Sequence, residues 1–174
     1  MPHKVADPIF QFNAPGPKPN GLQAADDGLW IIDQGDNHVY KVDWSTGEVL
    51  HDIPTETEHS SGITLGGGYV WVASTYSCEI FQIEIDTGKT VEKYPSPGAG
   101  INATREHLDA EAGRKSQATG DHGLEWKNGN LYIASPPSQY VHVMDASNWS
   151  EIHKMKAPGF RVHGLSWAEQ EGHV

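Results

Sequence analysis

The sequence contains a single cysteine, Cys78, so no internal disulfide can form and a Cys-rich zinc site is ruled out. No run approaches the ~18 apolar residues of a membrane span, and Met1 to Phe10 lacks the apolar stretch of a signal peptide. Positive charge is scarce, with 12 Lys and Arg against 23 Asp and Glu and a formal net charge of −11. Binding to a phosphate backbone relies on Lys and Arg displacing counterions, so no nucleic-acid partner is expected. An anionic membrane surface is disfavoured for the same reason. There is no G-x-S-x-G nucleophile elbow. Gly66-Gly67-Gly68 precedes a strand rather than a helix N-terminus, which argues against a phosphate loop. These absences leave an acidic, soluble protein expected in the cytoplasm, a trimmed export signal being the alternative.

What is present is repetition. Glycine at 19 and proline at 11 favour many turns over long helices, and 174 residues make about one domain. The triplet x-Gly-aliphatic occurs as Asn20-Gly21-Leu22, Ser61-Gly62-Ile63, His122-Gly123-Leu124 and His163-Gly164-Leu165, with glycine spacings of 41, 61 and 41. Nine residues after the first three glycines stand Trp30, Trp71 and Tyr132, and Thr46-Gly47 and Thr87-Gly88 are again 41 apart. Removing about 20 residues from the middle interval restores one period of 41 throughout.

Each unit reads as four short strands separated by turn residues. The first has Leu22–Ala25, Leu29–Asp33, His38–Asp43 and Glu48–Ile53; the second has Ile63–Leu65, Val70–Ser74, Glu79–Ile85 and Lys89–Tyr94. The third has Leu124–Trp126, Leu131–Ser135, Val141–Asp145 and Glu151–Met155. Four antiparallel strands per ~41 residues predict an all-β β-propeller. The blades are expected at about 20–58, 61–98 and 122–158, a fourth begins over 163–174 with an inner strand at Leu165–Ala168, and 99–121 is an inserted segment. Trp30, Trp71 and Tyr132 share one strand position and are expected in the core between blades.

The innermost strands of a propeller line a central channel. Asn20, Ser61, His122 and His163 should therefore ring one mouth of it, joined by the loops Asp33–Asn37, Ser74–Ser77 and Ser135–Tyr140. The inserted segment belongs to the same face, with Thr104 expected to cap a helix over Arg105–Ala112 that ends near Gly113. Such a segment reads as a lid or specificity loop. His122 and His163 with Asn20 or Asp121 offer nitrogen and oxygen ligands for a divalent metal, Ca, Mg or Zn. Either histidine also suits a general base. The alternative is that histidine before glycine makes a structural hydrogen bond between strands. His59, Tyr76, Arg105, His107 and Arg161 are the candidates for holding a small-molecule substrate. His38, His51, His142 and His153 lie within strands and read as surface or packing residues. Cys78 lies on a loop of the mouth face without evident activation.

Pro19-Asn20-Gly21-Leu22 through Asp27-Gly28-Leu29-Trp30 resembles the P-N-G-L…D-G-x-L-Y blade of gluconolactonase and senescence-marker-type propellers. Ser61-Gly62-Ile63…Val70-Trp71-Val72 and His122-Gly123-Leu124 resemble virginiamycin B lyase and NHL-type repeats, so the resemblance spans 19–98 and 121–172. The lactonase resemblance implies a divalent-metal role for Asn20, and the lyase resemblance a metal or base role for His122 or His163. The first-blade E-G-P motif that supplies the lactonase glutamate is absent. The expected function is a metal-dependent hydrolase or lyase acting on a lactone- or ester-like molecule, with a non-catalytic NHL-like binding module as the alternative.

Three blades and part of a fourth do not close a ring comfortably. The expected solutions are a homodimer, in which Asp7–Phe12 of a second chain covers the open edge, or a longer chain of which this is the N-terminal part. Light scattering tests the first: a mass of two chains is expected, and a well-folded monomer at micromolar concentration would sink the dimer.

Overall fold

The computed structural model describes residues 9–159 and 161–167. Twelve strands form three separate four-stranded antiparallel sheets, each with its strands in chain order. The first blade comprises β1 (Pro19–Ala25), β2 (Gly28–Asp33), β3 (His38–Val42) and β4 (Val49–Pro54). The second comprises β5 (Ser60–Gly66), β6 (Tyr69–Ser74), β7 (Glu79–Glu84) and β8 (Thr90–Pro95). The third comprises β9 (Leu124–Lys127), β10 (Asn130–Ser135), β11 (Tyr140–Asp145) and β12 (Glu151–Lys156). Between the second and third lies the one helix among the described residues, α1 (Ala103–Glu111). The protein is a β-propeller whose sheets form an open array.

Local chemistry repeats with the sequence. Asp33, Ser74 and Ser135 end the second strand of each blade, and each accepts hydrogen bonds from nearby backbone N–H groups: Gly35 and Asp36 on Asp33, Glu58 on Ser74, Ser138 on Ser135. The following turn places Asn37, Cys78 and Gln139 at φ of 61°, 57° and 64°. Cys78 therefore fills a left-handed turn position common to all three blades, and burial pushes its thiol above the ordinary value. At the outer turn, Gly47 and Gly88 take φ of 73° and 70°, and the third blade puts Trp149 there at 57°. A bulky side chain at positive φ is an outlier. Trp149 holds the position by stacking on Tyr94 at 4.3 Å and donating from Nε1 to the Pro95 carbonyl, which ties the third blade to the second.

The core lies between blades because each middle strand buries both of its faces. On β6, Val70 and Val72 join Trp30, Ile32, Val39 and Ile53 of the first blade, while Trp71 and Ala73 join Leu124, Leu131 and Ile133 of the third. Neighbour supply decides exposure. Ile63 and Leu124 are 2% and 3% exposed under the preceding blade, whereas Leu22, at the same place in the first blade, is 62% exposed. Burying such a side chain is worth ~1.5–3 kcal/mol.

Nearest the channel the blades meet backbone to backbone. A Cβ on Gly21 would lie 2.7 Å from the Ser61 carbonyl oxygen; Cβ atoms on Gly62 and Gly123 would collide with the carbonyls of His122 and His163. None of these three glycines has a positive φ, so space rather than conformation demands them.

Three expectations are corrected. Residues 161–167 form no strand, and Ala168 lies outside the described residues, so the expected strand Leu165–Ala168 is not formed over its described part. Ile9–Phe12 is likewise not a strand, Asp7 lying outside the described residues; Phe12 packs instead beside Ile31, Tyr40 and Val42. Neither segment is paired with a strand among the described residues. The helix is capped by Asn102, not Thr104: Asn102 Oδ1 accepts from the Arg105 N–H at 3.2 Å.

Gly62→Ala is expected to destabilise the fold by ~1–3 kcal/mol or more, since backbone must move to admit the methyl. Gly164→Ala, with nothing within 4 Å, is expected to be nearly neutral. Urea unfolding of the two variants makes the comparison.

Candidate functional site

The inner strands deliver the mouth residues through breaks in their register. Pairing of β1 with β2 skips from Pro19 to Gly21, and pairing of β5 with β6 skips from Ser60 to Gly62. Asn20 and Ser61 are the extra residues. In the third blade, Ala134 makes backbone hydrogen bonds with both His122 and Gly123. A bulge re-aims one side chain out of the sheet's alternation. Here it turns the residue before each glycine toward the mouth.

Asn20, Ser61, His122 and His163 line one cavity of about 660 Å³, with His59, Tyr76, Arg105 and Arg161 around them. His122 and His163 approach through Nδ1 at 3.1 Å, rings edge to face at 82°. One Nδ1 donates and the other accepts. Asn20 Nδ2 donates to the Ser60 carbonyl at 3.0 Å and to Ser61 Oγ at 3.3 Å, and Ser61 Oγ lies 2.6 Å from Thr75 Oγ1. His59 stacks flat on Tyr76 with ring centres 4.2 Å apart.

Burial lowers the pKa of His122 to about 4, with His163, Arg161 and His59 adding in the same direction. Burial, then Arg161, also lowers His163. The His122 imidazole is therefore neutral at pH 7 and able to accept a proton.

The inserted segment covers the mouth. A bridge between Gly100 and Thr119 closes its base, and Asn102 Nδ2 donates to the Pro136 carbonyl across the opening. The helix ends as expected near Gly113, at φ 68°, where the Gly113 and Arg114 N–H groups reach the Ala110 and Asp109 carbonyls. Asp109 is buried and accepts from Arg105 Nε, Arg114 Nε and Nη2, and Ser116 Oγ. Desolvation raises its pKa, but these hydrogen bonds outweigh it and hold the carboxyl below the usual range.

Two expected site residues are not brought there. Asp121 is fully buried away from the cavity, facing the Gly98 N–H at 3.4 Å, with Oδ1 lacking a partner among the described residues. Burial raises its pKa. His107 lies on the exposed side of α1, paired with Glu111 at 3.2 Å. Gln34, in the loop Asp33–Asn37 expected at the mouth, lines the cavity, and so do Arg114 and Lys115, which were not singled out. Arg114 and Lys115 follow the helix-ending Gly113, and the insertion's fold is what carries them over the mouth.

Of the expected metal ligands, His122 and His163 bring two ring nitrogens to the cavity, Asn20 is held there by its Nδ2 hydrogen bonds, and Asp121 is buried elsewhere. Among the described residues no group of three or more His, Cys, Asp or Glu is placed to hold a metal.

No family model matches the sequence, and no curated protein matches it by sequence. Solved structures match it by fold. Glutaminyl cyclase from Myxococcus xanthus aligns with a TM-score of 0.60 at 11% identity, over 87% of this chain and 58% of that one. A catalytically inactive virginiamycin B lyase from Staphylococcus aureus, solved with quinupristin, aligns at 0.58 and 16% identity, over 88% and 47%. The WD40 domain of Neurospora crassa Pan2 aligns at 0.52 and 14% identity, over 78% and 35%. The chain thus spans roughly a third to three fifths of these propellers, and the likeness establishes the fold.

The unfolded His122 imidazole takes up its proton near pH 6.5 and the folded one near 4. Between those values the unfolded chain binds more protons, so stability falls as pH falls through the window, by at most ~1.4 kcal/mol per pH unit. Asp121, with its raised carboxyl, acts in the opposite sense. The readout is therefore the difference between wild type and His122→Asn in urea midpoint at pH 7 and pH 5. The variant is expected to lose less stability on acidification.

Proposed function

We propose that the propeller is an enzyme of hydrolase or lyase type that works on a lactone- or ester-like small molecule at the channel mouth. The observation that carries this reading is the His122–His163 pair, a half-buried imidazole against an exposed one, in a cavity that residues of the inserted segment also line. His122 accepts a proton from the substrate or from an attacking water. His163 fixes the orientation of the His122 ring through the Nδ1 contact, as a second group orients a general base in many acid–base sites. Arg161, close enough to shift both histidines, stabilises negative charge developing on the reacting carbonyl. The segment 99–121 positions the substrate and limits its access to water.

Both enzymes and WD40 domains occur among the structural neighbours, so a binding module is the second reading. Turnover of aromatic esters and of small lactones separates the two. His122→Ala is expected to lower kcat/KM by ~10²–10⁴-fold while the strand signal in circular dichroism persists. The wild-type pH–rate profile is expected to have its acid limb near pH 4, where His122 gains its proton. Wild type and His122→Ala both matching the buffer rate across the panel would favour the binding module.

A further inference from the structure

The cavity at the mouth runs against the charge of the whole chain. Arg105, Arg114, Lys115 and Arg161 line it, while among the carboxylates of the described residues only Glu58 and Asp109 do so. Four of 12 basic residues and two of 23 acidic ones thus meet at one place in a protein of net charge −11. Asp109 does not cancel the group. It accepts from Arg105 through Nε and from Arg114 through Nε and Nη2, leaving both guanidinium groups with further N–H donors on side chains that are mostly solvent-exposed. Lys115 and Arg161 have no carboxylate partner among the described residues.

We propose that the molecule taken at the mouth carries an anionic group, a carboxylate or a phosphate, seated between Arg161, Lys115 and the guanidinium groups of Arg105 and Arg114. This rests on the mouth being the working site and names the substrate class that the site selects. Planar guanidinium groups offer paired N–H donors that match the oxygens of either anion. Asp109, held below the helix end, fixes two of them in place before the ligand arrives, and preorganisation reduces the ordering cost of binding. The neutral histidines below receive the uncharged, reacting part of the molecule. The net negative charge elsewhere does not cancel the attraction inside, because the Debye length in physiological salt is only about 8 Å. The same cluster repels a divalent cation, in keeping with the donor geometry at the histidine pair.

The test titrates the chain with succinate, with inorganic phosphate and with the neutral diamide of succinate, reading the His122 and His163 ring signals by NMR. Saturable shifts are expected with at least one anion and not with the diamide, weakening as salt is raised. Arg161→Gln combined with Lys115→Gln is expected to weaken binding at least ~10-fold, with the thermal unfolding midpoint checked in parallel. Arg105 and Arg114 are left intact because they also hold Asp109. Tighter saturation by succinate assigns a carboxylate; tighter saturation by phosphate assigns a phosphate. Absence of saturation, equal binding of the diamide, or unchanged affinity in the folded double variant would overturn the inference. Anion binding without turnover leaves it standing and removes the enzyme reading; turnover of neutral esters without anion binding does the reverse.

Discussion

Everything near the channel depends on how closely one inner strand approaches the backbone of the next. At Gly21, Gly62 and Gly123 a side chain would occupy the space of the following blade's carbonyl oxygen. That carbonyl belongs to the residue immediately before the next glycine, so each contact fixes where the next mouth residue stands. His122 is located by Gly62, and His163 by Gly123. The His122–His163 approach is therefore a consequence of two glycine contacts one repeat apart, and it persists at His163 although residues 161–167 form no strand.

Outward from the axis, different forces take over. Hydrophobic burial between blades sets their spacing, with Trp30 and Trp71 filling the widening gap behind the inner strands. Hydrogen bonds to Asp33 and Ser135 close two of the turns that face the mouth, and Ser74 is tied to Glu58 of the preceding loop. The insertion alone is built differently. It has a capped helix, a glycine-terminated end and the buried Asp109 carboxylate at its centre instead of an apolar core. Its ordering is electrostatic, and the cations that order it are the ones presented to the cavity.

Much of this was legible in the sequence because turn chemistry and glycine spacing are local signals. All twelve strands fall where the 41-residue period and its turn residues put them, with ends displaced by up to three residues. The mouth positions followed from the same period. What misled was adjacency in sequence. Asp121 precedes His122, yet in the repeat it corresponds to Ser60, and both are fully buried. The bulge turns only one residue toward the mouth, so its neighbour must face inward. His107 failed for a helical reason: Asn102, Arg105 and Asp109 line the cavity at i, i+3 and i+7, and His107 projects roughly opposite to them. Arg114 and Lys115 lay beyond local reasoning, since only the three-dimensional path of the insertion brings them over the opening.

The same comparison between equivalent positions shows what limits the site. Leu22, Ile63 and Leu124 occupy one place in three successive blades and are nearly the same in size and chemistry. Only Leu22 lies in solvent, because only the first blade has no sheet packed before it among the described residues. Any blade set against Leu22 would also bring its own inner strand to the channel, and with it another side chain at the position held by Asn20, Ser61 and the two histidines. The cavity walls described by Asn20 and His163 are then one arc of the mouth. That arc joins the histidine pair and four cations to the hydroxyl and amide groups of Asn20, Gln34 and Ser61. The repeat period sets where each of the glycine-flanking side chains stands, while the insertion adds the charge that the period itself does not supply.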